Sequence, residues 1–392
     1  MTRTHLSALA ALVSVSTAAT LAQPGCSDGG GSFVWPEETP DAVATYAQIV
    51  EATYADTVAE AQLLDTALTA FVAAPTPLTL EAAREAWLAS REPYLQSEVF
   101  RFYDGPIDNA EDGPEGLINA WPLDENYIDY VEGDPTAGII NGTETIDAPT
   151  LTSLNEEGGE KNIATGYHAI EFLLWGQDQS TTGPGDRSSD DYLVGSAATN
   201  QARRAQYLTV VGDLLVLHLR QVRDAWAPTA SYRVAFEGDP EGSFANILTG
   251  MIILSGFETG GERLQPAIDS GDQEDEHSCF SDNTHRDMVQ DVRGVSNVWH
   301  GRYTRVNGTT VSGTGVRDIV AAVDAELAAE LDTRIAMSLS LAEALMPPFD
   351  QEIVPGAPGN ARVVALIQSL REQERLLSEV FETFQLSVPV PE

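Results

Sequence analysis

Along most of this chain, apolar residues recur at intervals of three and four, the spacing that places them on one face of an α-helix. The pattern is clearest over residues 41–74, where Asp41 can cap the first turn and Pro75 and Pro77 end the helix. No segment of useful length alternates between apolar and polar residues as a half-buried strand does. The sequence therefore predicts an all-α fold. The apolar positions of the first helix are Val43, Tyr46, Ala47, Val50, Tyr54, Val58, Ala61, Leu64, Leu68 and Phe71.

Further helices are predicted along the rest of the chain. Thr79 can cap a second helix that reaches Phe102 and contains Pro93. Helices of this length joined by turns are typical of antiparallel bundles. We expect two packed antiparallel bundles with long ordered loops, residues 41–190 and 191–392, which meet near a polar gap. The later segments with helical periodicity are 166–175, 200–226, 243–257, 282–303, 316–345 and 361–384.

The first 25 residues have the pattern of a secretory signal peptide. Arg3 and His5 precede an apolar run that is too short for a membrane span. Cys26 follows, in a setting that resembles a bacterial lipoprotein processing site, and residues 26–40 form a flexible tether. We expect an exported protein. Either Cys26 carries a lipid that anchors the chain in the periplasm or at the outer membrane, or the protein is secreted and Cys26 is free or paired with Cys279.

The charge of the chain limits its partners. Sixty acidic residues against 21 basic ones leave a formal net charge of −39. We therefore expect no nucleic-acid partner, because the chain lacks the basic footprint that displaces counterions from phosphates. A surface this acidic attracts cations instead.

A histidine and a glutamate stand three residues apart in the predicted helix 166–175. On a helix, His168 and Glu171 point the same way from adjacent turns, and the surrounding apolar residues are numerous enough to bury both. Buried polar groups need partners, and a metal ion would serve both. The alternative is structural: His168 forms a core hydrogen bond and Glu171 pairs with an arginine.

Three other segments contain residues suited to a site. In the first, Arg91, Glu98 and Arg101 approach one side of a helix, where Glu98 can complete a ligand set or simply pair with the arginines. In the second, Trp121 lies in an aromatic segment that resembles a lid or wall, and Asp124 can line a polar site or face water. This segment belongs to a long stretch without periodicity, residues 104–154, and connections of that length are usually functional.

The third segment, residues 275–287, is dense in acidic, histidine and cysteine residues, which is the composition of a metal site. Its candidate ligands are His277, Asp282 and His285, although Asp282 can also cap the helix that follows. Cys279 has no Cys-x-x-Cys partner, which excludes a structural zinc knuckle.

The run Gly166-Tyr167-His168-Ala169-Ile170-Glu171 fits the Gly-x-His-x-x-Glu signature of the imelysin-like family, and the chain resembles this family from about residue 41 to 384. The second and third segments are similar to those of its iron-regulated protein A branch. The resemblance implies an exported or lipid-anchored, all-helical protein of two bundles, associated with iron acquisition and named as a candidate metallopeptidase. The signature ligands carry over to His168 and Glu171. For Glu98, Asp282, His277 and His285 the resemblance implies location in family motifs and no settled role.

We therefore expect His168 and Glu171 to hold a divalent or ferric ion at the bundle junction, with Glu98 or the 277–285 segment completing the shell. Iron is favoured by the resemblance alone, because these ligands suit iron, manganese or zinc equally. Expected partners are the metal, a membrane if Cys26 is lipidated, and iron-uptake or redox proteins.

One alternative is a zinc-dependent peptidase, although the chain has no His-Glu-x-x-His motif and Phe172 breaks the inverted pattern. Another is an interaction module with a purely structural core. The sequence does not decide whether the protein is an enzyme.

Overall fold

Two long helices open the fold and pack closely together. The computed structural model describes residues 33–390 of the chain. Helix α1 spans Thr39–Ala73, so it begins inside the predicted tether, and α2 spans Pro77–Leu95. Thr76 caps α2, because its Oγ1 accepts the N–H of Thr79 at 3.2 Å. The predicted cap at Thr79 is therefore wrong by one turn, since Pro77 starts α2 rather than merely ending α1.

Short helices and the signature helix follow. The stretch without periodicity, residues 104–154, holds four short helices joined by turns. The signature residues lie on α7, as predicted, and α7 ends at Gly176, whose φ of +73° suits a glycine C-cap. The bounds are α3 Glu115–Ile118, α4 Glu125–Ile128, α5 Gly138–Asn141, α6 Ala148–Leu154 and α7 Gly166–Trp175.

The second half of the described chain is also mostly helical, which confirms the all-α prediction. Within residues 33–390 the named strands form a single antiparallel hairpin. The elements are α8 Gln201–Ala225, α9 Ser231–Gly238, α10 Pro240–Ile252, a π-helical segment Ile253–Leu264, α11 Gln265–Ser270, α12 Thr284–Trp299, β1 Arg302–Thr304, β2 Thr310–Ser312, α13 Val316–Val323, α14 Ala325–Ala342, α15 Asp350–Ile353 and α16 Pro358–Thr383.

Two predicted helices in this half are wrong in their limits. The helix predicted over 282–303 ends at Trp299, and Gly301, with a φ of +59°, turns the chain into the hairpin. The helix predicted over 316–345 is divided at Asp324, whose Oδ1 accepts the N–H groups of Glu326 and Leu327 at 3.1 and 3.0 Å. Asp324 therefore caps a new helix instead of continuing the old one.

Helix α7 lies where helices from distant parts of the chain meet. It packs against α2 and α8, and α12 packs against α2 from the second half of the sequence. All ten residues of α7 are buried. This packing brings the signature residues near the segment that precedes α12.

Residues from Trp35 onward form one compact unit. The division into bundles 41–190 and 191–392 therefore stays a prediction. Within the described part of the chain, we find no helix that combines the length and the apolar character needed to span a membrane.

Candidate metal centre

Gly166 fixes how the Trp121 segment meets helix α7. Its φ is +85°, and a Cβ built there would lie 2.5 Å from the carbonyl oxygen of Ile118. The neighbouring Thr165 donates from Oγ1 to the carbonyl of Leu117 at 3.2 Å. A glycine at this position thus lets the 115–121 segment approach the start of α7, one turn from His168.

His168 and Glu171 form a buried pair. The His168 Nδ1 lies 2.8 Å from Glu171 Oε2, and both side chains are fully shielded from solvent. The other carboxylate oxygen, Oε1, accepts the N–H and the Oγ–H of Ser281 at 3.0 and 2.6 Å. Both oxygens of Glu171 are therefore engaged, whereas His168 Nε2 has no hydrogen-bond partner in the described residues.

Burial controls the protonation of this pair. Burial, together with the charge of Arg91, lowers the pKa of His168 well below its usual value, so the imidazole is neutral. Burial also raises the pKa of Glu171 to about 8, against the hydrogen bonds from Ser281. A neutral imidazole is the form that binds metal, and a carboxylate on its other nitrogen is the usual way in which a protein orients such a ligand.

His277 faces His168 with a similar arrangement. The two ring centroids are 5.0 Å apart and the rings are inclined at 78°. His277 Nδ1 lies 2.7 Å from Asp287 Oδ2, which also accepts the hydroxyl of Ser278 at 2.5 Å. Burial lowers the pKa of His277 to about 4, so this ring is neutral as well. Two neutral imidazoles, one bonded to the carboxyl group of Glu171 and one to the carboxylate of Asp287, therefore lie side by side.

Arg91 supplies positive charge beneath these pairs. It is fully buried, its Nη2 lies 3.2 Å from Asp287 Oδ2, and its Nη1 donates to Asn119. Its guanidinium also lies 5.0 Å from the ring centroid of Tyr167. Although burial acts in the other direction, Arg91 and His277 hold the pKa of Asp287 well below its ordinary value. Asp287 is thus ionised and can orient His277.

Trp121 forms a wall of the site. Its ring centroid lies 4.8 Å from that of His168 and 5.9 Å from that of Phe280. A cavity of about 230 Å³ lies beside it, lined by Trp121, His277, Asn119 and charged residues that include Arg101 and Arg263. A larger and more open groove, of about 480 Å³, runs along residues 175–187 beyond the end of α7.

Several predicted site residues lie in other groups. Glu98 is buried and forms ion pairs with Arg101, at 2.7 Å, and with Arg263. Pairing with arginines was one of the two roles that the sequence allowed for Glu98. His285 donates from Nδ1 to the carbonyl of Asp282 at 3.1 Å. The Asp282 side chain lies with Asp178 and Asp350 instead of with His168.

The remaining predicted residues have simpler placements. Asp124 caps α4, accepting the N–H of Asn126 at 3.1 Å. Cys279 is buried. Cys26 lies outside the described residues, so its lipidation or pairing stays a prediction.

Sequence reasoning did not single out Asp287, Ser281, Asn119 or Arg263. The first three lie in segments that were recognised as rich in functional groups, but nothing in their spacing distinguishes them from their neighbours. Arg263 lies on the π-helical segment and reaches Glu98 and Asp291 from a region with no sequence signal.

The chain is similar to known proteins in both sequence and fold. The model of the family described as Imelysin, a peptidase family by name, matches residues 50–377. Iron-regulated protein A of Synechococcus elongatus is 26% identical over 261 residues, which cover 65% of this chain and 62% of that protein, slightly less than two thirds of its length. A crystal structure from Parabacteroides distasonis, provisionally designated an iron-regulated protein A precursor, superposes with a TM-score of 0.68 at 18% identity. The superposition covers 91% of this chain and 97% of that one and shows a shared fold.

Proposed function

The chain belongs to the Imelysin family, and from this membership and the geometry at His168 we propose that it is an exported protein that binds iron and takes part in iron acquisition or handling. The metal ligands are His168, through Nε2, and His277. Glu171 and Asp287 act as the carboxylates that orient them. Iron enters the proposal from the names of the two relatives, both of which contain the words iron-regulated protein A.

The observation that carries this proposal is the unpartnered Nε2 of His168. It is buried, has no hydrogen-bond partner in the described residues, and belongs to a ring that burial keeps neutral. A buried nitrogen left unpaired destabilises the fold unless something binds it. His277 lies beside it, and imidazole nitrogens with nearby carboxylates suit ferrous and ferric iron. The bound ion is cargo that the protein captures and passes to an uptake or redox partner.

The alternative is a zinc-dependent peptidase, which the family name supports. Zinc held by two histidines would lower the pKa of a bound water and so supply a nucleophile. The cavity beside His277, at about 230 Å³, is smaller than the roughly 300–1,000 Å³ of ordinary ligand pockets. A peptide would need the Trp121 wall to move, so the geometry favours binding of an ion.

Elemental analysis of protein purified without a metal-affinity tag tests both functions. We expect close to one iron per chain in the wild type, loss of iron in His168→Ala and His277→Ala, and a weaker site in Glu171→Gln, by roughly 10–100-fold. His218→Ala is the matched control, because His218 is also buried and its Nδ1 has no partner among the described residues. Unchanged iron in His168→Ala would contradict the site. Zinc with peptide hydrolysis that His168→Ala abolishes would replace iron handling with peptidase activity.

A further inference from the structure

A second group of acidic side chains converges on one point away from the paired histidines. Single ligand atoms of Asp178, Asp282 and Asp350 all lie within 4.8 Å of one another. Burial and the neighbouring charges of Asp350 and Asp282 raise the pKa of Glu276, so its carboxyl group lies near these three residues. These residues come from three separate segments: the loop after α7, the segment that precedes α12, and the start of α15. We call them the carboxylate cluster.

The cluster is buried and almost entirely unpartnered. All four residues are less than 9% exposed, and Glu276 is fully buried. Within the described chain, seven of the eight carboxylate oxygens accept no hydrogen bond from an N–H or hydroxyl donor, and the remaining one, Asp178 Oδ1, accepts the N–H of Ser180 at 2.8 Å. The carboxyl groups of Asp178 and Asp282, and those of Glu276 and Asp350, lie close enough to share a proton when no cation is bound. Buried carboxylates are normally paired with a base or bound to a metal. These buried oxygens therefore point to a cation site.

The pKa values of the carboxylate cluster also indicate a cation site. Burial and the charges of the other members raise the pKa of Asp282 to about 8 and that of Asp178 to about 6. Without a cation, the cluster must keep protons or bear the repulsion of several buried charges. A divalent cation removes both penalties.

We propose that Asp178, Glu276, Asp282 and Asp350 form a calcium site. Calcium takes six to eight oxygen ligands in flexible geometry, and a set made only of carboxylates contains no nitrogen or sulfur that would favour a softer metal. Magnesium is less suited, because it needs a near-ideal octahedron and keeps much of its water. Asp178 also lines the open groove of about 480 Å³, which gives the ion a path from solvent.

The site has a structural consequence for the histidine pair. Asp282 is adjacent to Ser281, whose N–H and hydroxyl both bond to Glu171. A cation bound to Glu276 and Asp282 therefore fixes both ends of the segment that contains His277 and Ser281. The calcium site does not depend on iron at His168, and its test is independent of that metal.

The test is thermal unfolding of the full chain after treatment with EDTA and exchange into chelator-free buffer. Adding calcium chloride should raise the Tm of the wild type by about 3–4 °C at a concentration about 100 times the Kd. Asp282→Asn and Asp350→Asn should lose at least 10-fold in calcium affinity. Asp275→Asn is the matched control, because it removes the same charge from an exposed position in the same segment and should keep the full response.

The outcomes separate calcium binding from its rivals. No rise in the wild type, or an equal rise in Asp282→Asn, overturns the site. A response to ferrous iron or magnesium and not to calcium overturns the choice of cation. Misfolding of the variants does not explain a lost response, because without calcium Asp282→Asn removes a buried charge and should unfold no earlier than the wild type at pH about 8. If that variant is stabilised while the wild type ignores calcium, the cluster stores protons and the proposal fails.

Discussion

Asp291 shows how a single side chain makes stability depend on pH. Its Oδ2 accepts hydrogen bonds from Arg263 Nη1 at 3.0 Å and Thr259 Oγ1 at 3.3 Å, whereas Oδ1 has no partner in the described residues. Arg263 is shared with Glu98 and Glu258. Burial raises the pKa of Asp291 to about 8, because one shared arginine offsets only part of the effect of burial and of the neighbouring carboxylates.

Replacing Asp291 with asparagine should therefore flatten the pH dependence of stability. The folded-state pKa lies above the unfolded value of about 3.9, so the wild type loses stability as pH rises from about 4 through about 8. Asp291→Asn should lose less across this window and exceed the wild type at pH about 8. Urea unfolding followed by tryptophan fluorescence, with EDTA present, measures both profiles.

Glu98→Gln is the opposite control for this experiment. Although burial acts in the other direction, Arg101 and Arg263 hold the pKa of Glu98 well below its usual value. Its charge therefore stabilises the fold at neutral pH, and its removal should destabilise the protein there. Parallel pH profiles for the wild type and Asp291→Asn would show that Asp291 is not the titrating group.

At the scale of elements, Gly166 couples helix α7 to the segment that contains Trp121. Alanine at this position would have to adopt a φ of +85° and place its Cβ 2.5 Å from the Ile118 carbonyl oxygen. We expect Gly166→Ala to lower the free energy of unfolding by at least about 2 kcal/mol, from backbone strain and steric overlap together. Denaturant titration measures the change.

A second glycine separates the two contributions. Gly133 has the same φ of +85°, but a Cβ there meets nothing within 4 Å. Gly133→Ala should therefore lower the free energy of unfolding through backbone strain alone, by about 1 kcal/mol. Equal losses in the two variants would mean that the contact between α7 and the 115–121 segment contributes nothing to stability.

The elements also show how far sequence reasoning reaches. Helix α7 and the common direction of His168 and Glu171 could be predicted, because both depend on spacing within two turns. The direct hydrogen bond between the two side chains was not predicted. The neighbour of His168 could not be chosen in advance: Glu98 and the 277–285 segment were both candidates, and only the folded chain places His277 beside His168. Asp282 was assigned to the same site or to a cap of α12, yet Asn283 occupies the N-cap position and the side chain of Asp282 lies in the carboxylate cluster. Contacts between residues that are distant in the chain leave no pattern in the local sequence.

The break in the predicted helix 316–345 has a different cause. Asp324 is an ordinary polar residue in a helical pattern, and its role as a cap depends on whether its backbone is helical or extended. A sequence pattern does not distinguish these two states. Conversely, Thr76 and Pro77 contain a recognisable start signal that prediction from apolar spacing alone passed over.

At the scale of the whole molecule, the net charge limits how this chain can be held at a membrane. A net charge of −39 repels anionic lipid headgroups, so the folded body gains no electrostatic attraction to such a membrane. An acyl chain on Cys26 would therefore have to provide the membrane affinity by itself. Because a single chain binds only marginally, stable anchoring requires more than one chain at this residue.

If Cys26 is lipidated, Cys26→Ser should consequently move the protein from the membrane fraction to the soluble exported fraction almost completely, because anionic headgroups repel a body with a net charge of −39. Cys279→Ser is the control, because it removes the other cysteine of the chain and leaves Cys26 available for lipidation. Fractionation followed by immunoblotting measures the distribution. If Cys26 is instead paired with Cys279, both variants will be equally soluble and will migrate alike on non-reducing gels, whereas the wild type will migrate faster as the looped, oxidised form. The two cysteine variants thus distinguish an anchored metal-binding protein from a freely secreted one.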